Sequence, residues 1–381
     1  MQRTVIAGVG IHPFGRFELG YRELGAHAVR EALADAGIGY ADVDFTFVAN
    51  VGAEMAKGQN VMAQIGATGK PIINIEAACG SSGSAMRLAA GLIESDAAEI
   101  VLCVGVEKAP RGYVMASGYE QWQIETGLGA NPSYFAIAAQ LLMQQTDCRI
   151  EDLADVSVKN HTHAVENPNA MFRKVFSREQ VLASKMVCPP LTLLMLCAPN
   201  EGAAAAVLMS EREAVRRGIP KPVRIRSISL VSKIPTDDLL TPAVSIVAEG
   251  RTRVSARAAT EAYEAAGIGP EDFDLVECQD TDVASELLAY RELGLCKLGE
   301  EAALLRTGAT KIGGRIPVNA SGGLLSKGEP LGASGLGQVH ELVTQLRGRA
   351  GKRQIESARV GVGHVVGAGH TASVMVVTAG T

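Results

Sequence analysis

In the run Ala77-Ala78-Cys79-Gly80-Ser81-Ser82-Gly83 one thiol is surrounded by residues with little or no side chain. An apolar, β-branched stretch, Pro71-Ile72-Ile73-Asn74-Ile75, precedes it and suits a buried strand, while Ala85, Met86, Leu88, Ala89, Leu92 and Ile93 follow at helical spacing. Cys79 is therefore expected on a turn just ahead of a helix N-terminus, where unpaired N–H groups and the helix dipole favour thiolate over thiol. Gly80 and Gly83 permit close backbone approach, and the small neighbours leave room for a ligand beside the sulfur. This points to nucleophilic chemistry; the plain alternative is a buried structural cysteine opening a core helix.

The rest of the chain must supply a scaffold for that turn. Its 381 residues, 47% of them hydrophobic, can bury a large core as two domains or two fused halves, which excludes a disordered or coiled protein. A formal net charge of −5 without a long basic run gives no support to nucleic-acid binding or to an anionic membrane surface. Cys79, Cys103, Cys148, Cys188, Cys197, Cys278 and Cys296 are scattered, with no C-x-x-C pair, and read as reduced thiols. The first eight residues run directly into an expected strand, so a soluble, cytoplasmic protein with neither cleavable signal nor membrane span is expected.

Strand and helix patterns alternate along the chain. Residues 5–10 read as a strand and turn, 21–37 as an amphipathic helix stopped by glycine, and 45–51 and 100–107 as strands. His12-Pro13-Phe14-Gly15 breaks the spacing that a dinucleotide-binding fingerprint after Val9-Gly10 would need. Residues 131–146 and 150–164 read as helices, 111–129 as a surface excursion carrying Trp122, and 166–174 as a turn-rich insertion. His161 and His163, two apart, fall on different faces of their helix and do not form a helical metal site. Alternation of this kind implies a mostly parallel sheet covered on both faces.

Residues 26–45 are echoed by 256–275: a helix, an Ala-Gly-Ile-Gly stop, an acidic turn and a strand. A fused duplication is the simplest account. It divides the chain into 1–221, including a loop domain at about 111–190, and 222–381. The second half includes the stretch 274–282, a helix from 283 to about 293, and a glycine-dense stretch, 317–335, before a helix at 335–347. Such glycines let backbone approach a bound group.

Five segments together resemble the thiolase superfamily, particularly the sterol-carrier-protein type, over nearly the whole length. Ala78-Cys79-Gly80-Ser81-Ser82-Gly83 resembles the nucleophile loop, and Asn167-Pro168 with Phe172-Arg173 the loop-domain motif. Asn200-Glu201-Gly202-Ala203-Ala204-Ala205 is similar to the glycine-alanine strand, and Glu286-Leu287-Leu288-Ala289-Tyr290 with Leu293-Gly294-Leu295-Cys296 to the helix after the second active-site loop. Asn319-Ala320-Ser321-Gly322-Gly323 and Gly328-Glu329-Pro330-Leu331-Gly332-Ala333 resemble the Gly-His-Pro region. The resemblance implies an α/β thiolase fold: two similar βαβ-rich halves in five α-β-α-β-α layers, with a loop domain. Three departures stand out. Glu329 replaces the His of Gly-His-Pro, Gln279-Asp280-Thr281-Asp282 replaces His-Asp-Cys-Phe, and Val365-Val366-Gly367 aligns with Cys-x-Gly, leaving His364 one residue earlier.

The same resemblance implies a set of roles. Cys79 is the implied nucleophile, Glu329 or His364 the base for its proton, the N–H groups of Cys79 and Gly367 the oxyanion hole, and Gln279 an amide donor to an enolate oxygen. The implied activity is that of an acyl-CoA acyltransferase which cleaves or forms a C–C bond of a 3-oxoacyl-CoA through a Cys79 acyl-enzyme. Coenzyme A is its co-substrate, no metal is held by this chain, and benzoylsuccinyl-CoA, split to benzoyl-CoA and succinyl-CoA, is the specific substrate suggested. Implied partners are a second copy in a homodimer core and a small OB-fold and zinc-ribbon protein. The rivals are a retro-aldolase acting on a β-hydroxyacyl-CoA, with Cys79 a bystander, and a catalytically silent thiolase-like subunit.

Overall fold

The computed structural model describes residues 3–52, 54–112, 120–127, 129–234, 253–368 and 370–380; the expected excursion at 111–129 thus lies partly outside the described residues, as does Gly369. The strands are β1 (Thr4–Gly15), β2 (Phe45–Ala49), β3 (Ile72–Ile75), β4 (Ile100–Lys108), β5 (Met186–Cys188), β6 (Leu191–Thr192), β7 (Glu201–Ser210), β8 (Val223–Ser232), β9 (Leu275–Glu277), β10 (Val360–Gly367) and β11 (Thr371–Thr378). The helices are α1 (Tyr21–Asp35), α2 (Lys57–Met62), α3 (Ser81–Glu94), α4 (Gln121–Glu125), α5 (Asn131–Gln145), α6 (Ile150–Ala164), α7 (Arg178–Leu182), α8 (Glu211–Arg217), α9 (Val254–Ala266), α10 (Val283–Glu292), α11 (Glu301–Arg306), α12 (Gly323–Ser326) and α13 (Ser334–Leu346).

Strands β5 and β6 pair apart; the others form one nine-stranded sheet in the order β3-β2-β4-β7-β1-β8-β11-β10-β9. It is pinched in the middle, where β1 and β8 pair only at Val5 with Arg224 and Ile6 with Val223. Outward from that join the two wings repeat each other. In β1-β7-β4-β2 the successive pairings are antiparallel, antiparallel and parallel. In β8-β11-β10-β9 they are the same. The parallel pairing of β2 with β3 is echoed by an isolated parallel bridge from Val276 to Val318.

The repeat extends to single hydrogen bonds. Gly37 and Gly267, both at φ 63°, stop α1 and α9. Asp42 accepts from the Gly39 N–H at 2.9 Å, and Asp272 from Gly269 at 3.1 Å. Asp44 then takes the N–H groups of Glu99 and Ile100, just as Asp274 takes those of Arg359 and Val360. Each aspartate ties the strand after its helix to the neighbouring strand of its wing.

Helices α3 and α13 touch each other and strands of both wings, α1 covers the outer face of β1, β7 and β4, and α9 covers β8 and β11. That arrangement gives the layer order α-β-α-β-α. The middle layer joins Met86 and Ile93 of α3 to Leu336, Leu342 and Val343 of α13 in one buried cluster. Burying one such leucine stabilises the fold by about 1.5–3 kcal/mol.

Three local expectations are corrected. The sheet is mixed rather than mostly parallel, because β10 returns as β11 after a short turn, and a connection that short can only join antiparallel neighbours. Strand β1 does not turn at Gly10 but continues to Gly15. Its early glycines serve packing: a Cβ at Gly8 would lie 2.4 Å from the Ala32 carbonyl oxygen, and one at Gly10 2.2 Å from that of Ala28, so α1 sits directly on the strand. Strand β3 is not buried; it is an edge strand, paired only with β2, and Ile73 is 44% exposed.

Candidate active site

Cys79 sits where the sequence places it, between β3 and α3, with Gly80 as the residue ahead of the first helical turn. The turn is tightly tied. Ala78 is left-handed at φ 49°, its N–H donates to Glu76 Oε1 at 2.7 Å, and Ser81 Oγ accepts from the Ala77 N–H while donating to the Ala78 carbonyl at 2.6 Å. The Gly367 backbone lies against this turn, so a Cβ at Gly367 would come within 2.1 Å of the Ala77 carbonyl oxygen. Ala368, next to it, is also left-handed at φ 50°. Two strained backbone turns thus meet beside the thiol.

Glu329 reaches the same place from the other wing. Its carboxylate accepts from the Cys197 thiol, the Gln279 amide and the Thr281 hydroxyl, and it stands close enough to Cys79 for its charge to act on that thiol. Cys197 Sγ lies 2.6 Å from Oε2, and Gln279 Nε2 lies 2.9 Å from Oε1, with Thr281 Oγ1 at 3.5 Å from the same oxygen. Gln279 Nε2 also donates to Thr281 Oγ1 at 3.0 Å, while Gln279 Oε1 is buried without a partner.

Electrostatics here run against the expected thiolate. Part of Cys79 is open to solvent, yet protein packs densely around it, and burial first, then the negative charge of Glu329, push its thiol well above the ordinary range. The N-terminal end of α3 pulls the other way and loses. Glu329 itself is raised by burial, although its donors oppose the shift. Cys79 therefore rests as a thiol beside a buried carboxylate.

His364 stands behind Gln279. Its Nδ1 accepts from the Gln279 N–H at 3.5 Å and its Nε2 pairs with Ser255 Oγ at 3.0 Å, while burial pulls its pKa down to about 4. The ring is thus neutral near pH 7, and its hydrogen bonds go to Gln279 and Ser255 rather than to Cys79 or Glu329. Val365 points the opposite way, against Gly83 and Gly335 in the middle layer. His161 and His163 are core residues: His161 pairs with Ser326 Oγ, and His163 lies between the Asn319 carbonyl and the Ile312 N–H.

A buried polar network fixes the two loops that carry Gln279 and Glu329. Asp280 accepts from Leu324 N at 2.7 Å, Leu325 N at 3.3 Å and Asn160 Nδ2 at 2.8 Å, clamping the start of α12. Asn160 and Asn319 both donate to Glu286, which also pairs with Lys159 at 2.6 Å. In the first wing Glu107 takes the N–H groups of Val51 and Gly332 and pairs with Lys57 at 3.3 Å.

Cys197 is the residue that sequence reasoning missed. Leu196 bridges to Asp282 and Pro199 to Glu329, and the Cys197 N–H donates to the Thr281 carbonyl at 2.9 Å. The segment is thereby stitched between the loops of Thr281 and Glu329. The available signal was a thiol five positions ahead of Gly202, in the approach to the glycine-alanine strand.

Comparison with known proteins agrees with this geometry. Residues 4–212 match the family described as "Thiolase, N-terminal domain", and 242–379 match "Thiolase C-terminal domain-like". Sterol carrier protein 2 of Homo sapiens is 36% identical over 97% of this chain and 70% of its own length. The benzoylsuccinyl-CoA thiolase subunit BbsB of Thauera aromatica is 37% identical over 97% of this chain and 95% of its own. Among solved structures the Ltp2-ChsH2(DUF35) aldolase matches with a TM-score of 0.87 at 25% identity, covering 99% of this chain and 98% of that one. The duplicated wings, the cysteine turn and these matches place the chain in the thiolase family, as a thiolase-type acyl-CoA acyltransferase.

Proposed function

We propose that Cys79 carries the acyl group in thiolysis of a 3-oxoacyl-CoA and that Glu329 is the base that frees its sulfur. The single observation behind this is a buried carboxylate, contributed by the other wing, set close enough to Cys79 for its charge to act on the thiol. Proton transfer to Glu329 leaves a thiolate at the start of α3, where helix N–H groups stabilise the new charge. The N–H groups of Cys79 and Gly367 hold the oxyanion. One amide hydrogen of Gln279 stays on Glu329; the other, on Thr281, is the one that can turn to an enolate oxygen, since a neutral hydrogen bond is worth only about 1 kcal/mol. His364 acts through Gln279, as a positioning residue.

We take benzoylsuccinyl-CoA as the substrate and coenzyme A as the acyl acceptor, on the strength of the similarity to BbsB. The retro-aldolase reading is kept because a solved aldolase shares the fold. A small OB-fold and zinc-ribbon partner is supported by two facts: that aldolase is a complex with a DUF35 protein, and BbsB is named as a subunit. A homodimer formed through β3 would cover the half-exposed edge strand and Leu88 of α3, which is 48% exposed. A solution mass of one chain would count against it. We divide the halves at 221/222, between α8 and β8. All seven cysteines are free, which suits a reducing compartment such as the cytoplasm. No helix among the described residues is long and apolar enough to cross a membrane.

The test is the intact mass of the protein after mixing with a panel of 3-oxoacyl-CoAs, with any copurifying partner present and Cys79→Ser alongside. An acyl mass gain that disappears in the variant is expected. Release of an aldehyde or ketone without an adduct would move the assignment to the aldolase; neither adduct nor product would leave a silent subunit.

A further inference from the structure

Two thiols lie beside the Glu329 carboxylate, Cys197 hydrogen-bonded to it and Cys79 within reach of its charge, and acyl transfer through Cys79 uses one. We propose that Cys197 is a second catalytic residue, the proton donor and acceptor at carbon 2 of the substrate, with Glu329 relaying protons between the two sulfurs. The inference rests on Cys79 being the nucleophile and Glu329 its base.

The geometry separates the thiols by chain segment. Cys197 Sγ donates to Oε2 at 2.6 Å, whereas Gln279 and Thr281 occupy Oε1. Cys79 is near enough for its charge to act on Cys197. Cys197 is not sealed in the core but partly exposed, as Cys79 is. The remaining buried thiols with a described acceptor behave differently: Cys103 and Cys148 donate to backbone carbonyls. Cys197 is also held firmly, by its own N–H on Thr281 and by the Asn200 N–H on the Glu329 carbonyl at 3.3 Å. The neighbouring loop offers Thr281, a poor acid, and Cys197 packs beside it.

The proton count closes. Cys79 gives its proton to Glu329, and its thiolate forms a C–S bond to carbon 3 of the 3-oxoacyl-CoA. The bond between carbons 2 and 3 breaks, and its electron pair stays on carbon 2. Cys197 donates its S–H proton there, releasing the CoA thioester that carries carbons 1 and 2, and its thiolate recovers the proton held by Glu329. In the second half-reaction coenzyme A gives its thiol proton to Glu329, displaces Cys79 from the thioester, and the leaving Cys79 thiolate takes that proton back. Cys197 is needed only in the first half-reaction.

That asymmetry supplies the test, on the full chain with any copurifying partner. Exchange of labelled coenzyme A into benzoyl-CoA, or into acetyl-CoA, reports the second half-reaction alone. Thiolysis of benzoylsuccinyl-CoA, or of acetoacetyl-CoA, needs both. Cys197→Ser and Cys197→Ala are expected to keep exchange within about threefold of the native protein while thiolysis falls at least about 100-fold. Thiolysis within threefold of native overturns the proposal. So does an equal loss of both activities, which would mean that Cys197 only holds Glu329 in place. Exchange that survives in Cys79→Ser, or a native protein inert towards both probe pairs, would instead sink the underlying assignment of Cys79 and Glu329.

Discussion

The turn between β3 and α3 and the loop leading into α13 occupy matching places in the two wings, and they differ in length, burial and chemistry. In the first wing five residues separate strand from helix, and Cys79 is left partly open. In the second, the segment from the Val318 bridge to Ser334 is long enough to hold α12, and Glu329 is 1% exposed. Duplication brings both loops to the ends of the paired middle helices; divergence gives one a thiol to present and the other a carboxylate kept dry. A dry carboxylate binds its proton more readily, and that is the property a base for a thiol requires.

Glu329→Gln should cause the largest change. Thiolysis is expected to drop by about 10²–10⁴-fold, the range of general acid–base contributions. The pH dependence sharpens the comparison. Because burial raises the Glu329 pKa above its unfolded value, the native protein loses stability as pH rises through the folded pKa, and activity, which needs the ionised base, rises over the same window. In Glu329→Gln the stability slope from this group should be absent. Denaturation followed between pH 4 and pH 8 would test it; parallel curves for the two proteins would contradict a raised Glu329.

The supports of the loops come next. Lys159 and Glu286 are both almost wholly buried, and Lys159 Nζ also donates to the Val318 carbonyl at 2.9 Å. Lys159→Met leaves Glu286 charged in the interior and should destabilise the fold by about 3–5 kcal/mol. Lys57→Met, in the first wing, should cost less. Both carboxylates keep other donors, but the pair of Glu107 with Lys57 is longer, at 3.3 Å against 2.6 Å. Equal losses in chemical denaturation would show that the two wings do not differ in this respect.

Much of this was legible in the sequence where local periodicity decided the outcome. Residues 150–164 form a helix with the expected bounds, and the Ala-Gly-Ile-Gly stops announced the repeated wing down to matching aspartates. Where distant segments meet, it was not. Nothing near Cys197 indicates that a carboxylate 132 positions away will accept its hydrogen bond. The edge position of β3 was hidden because an apolar strand reads the same whether it is buried by its own sheet or awaits another surface. The raised Cys79 thiol was not legible because a helix N-terminus is visible in sequence, whereas the burial that comes first among its causes is not.

The smallest effect should come from Ala78→Gly. A left-handed alanine costs about 1 kcal/mol, which glycine removes; glycine also adds roughly 0.5–1 kcal/mol of backbone freedom to the unfolded chain. The two nearly cancel, so stability should change by under about 0.5 kcal/mol. Turnover should still fall about two- to fivefold, because the turn aims Cys79 between Gly367 and Glu329, and a glycine there samples more directions. Gly80→Ala perturbs the same turn by contact instead of freedom: its new Cβ would lie 3.0 Å from Thr371 Cγ2, 3.1 Å from the Ala77 carbonyl oxygen and 3.3 Å from the Gly367 nitrogen. If Ala78→Gly left turnover unchanged while Gly80→Ala reduced it, aim would be set by the fit against Gly367, and the left-handed alanine would be incidental to it.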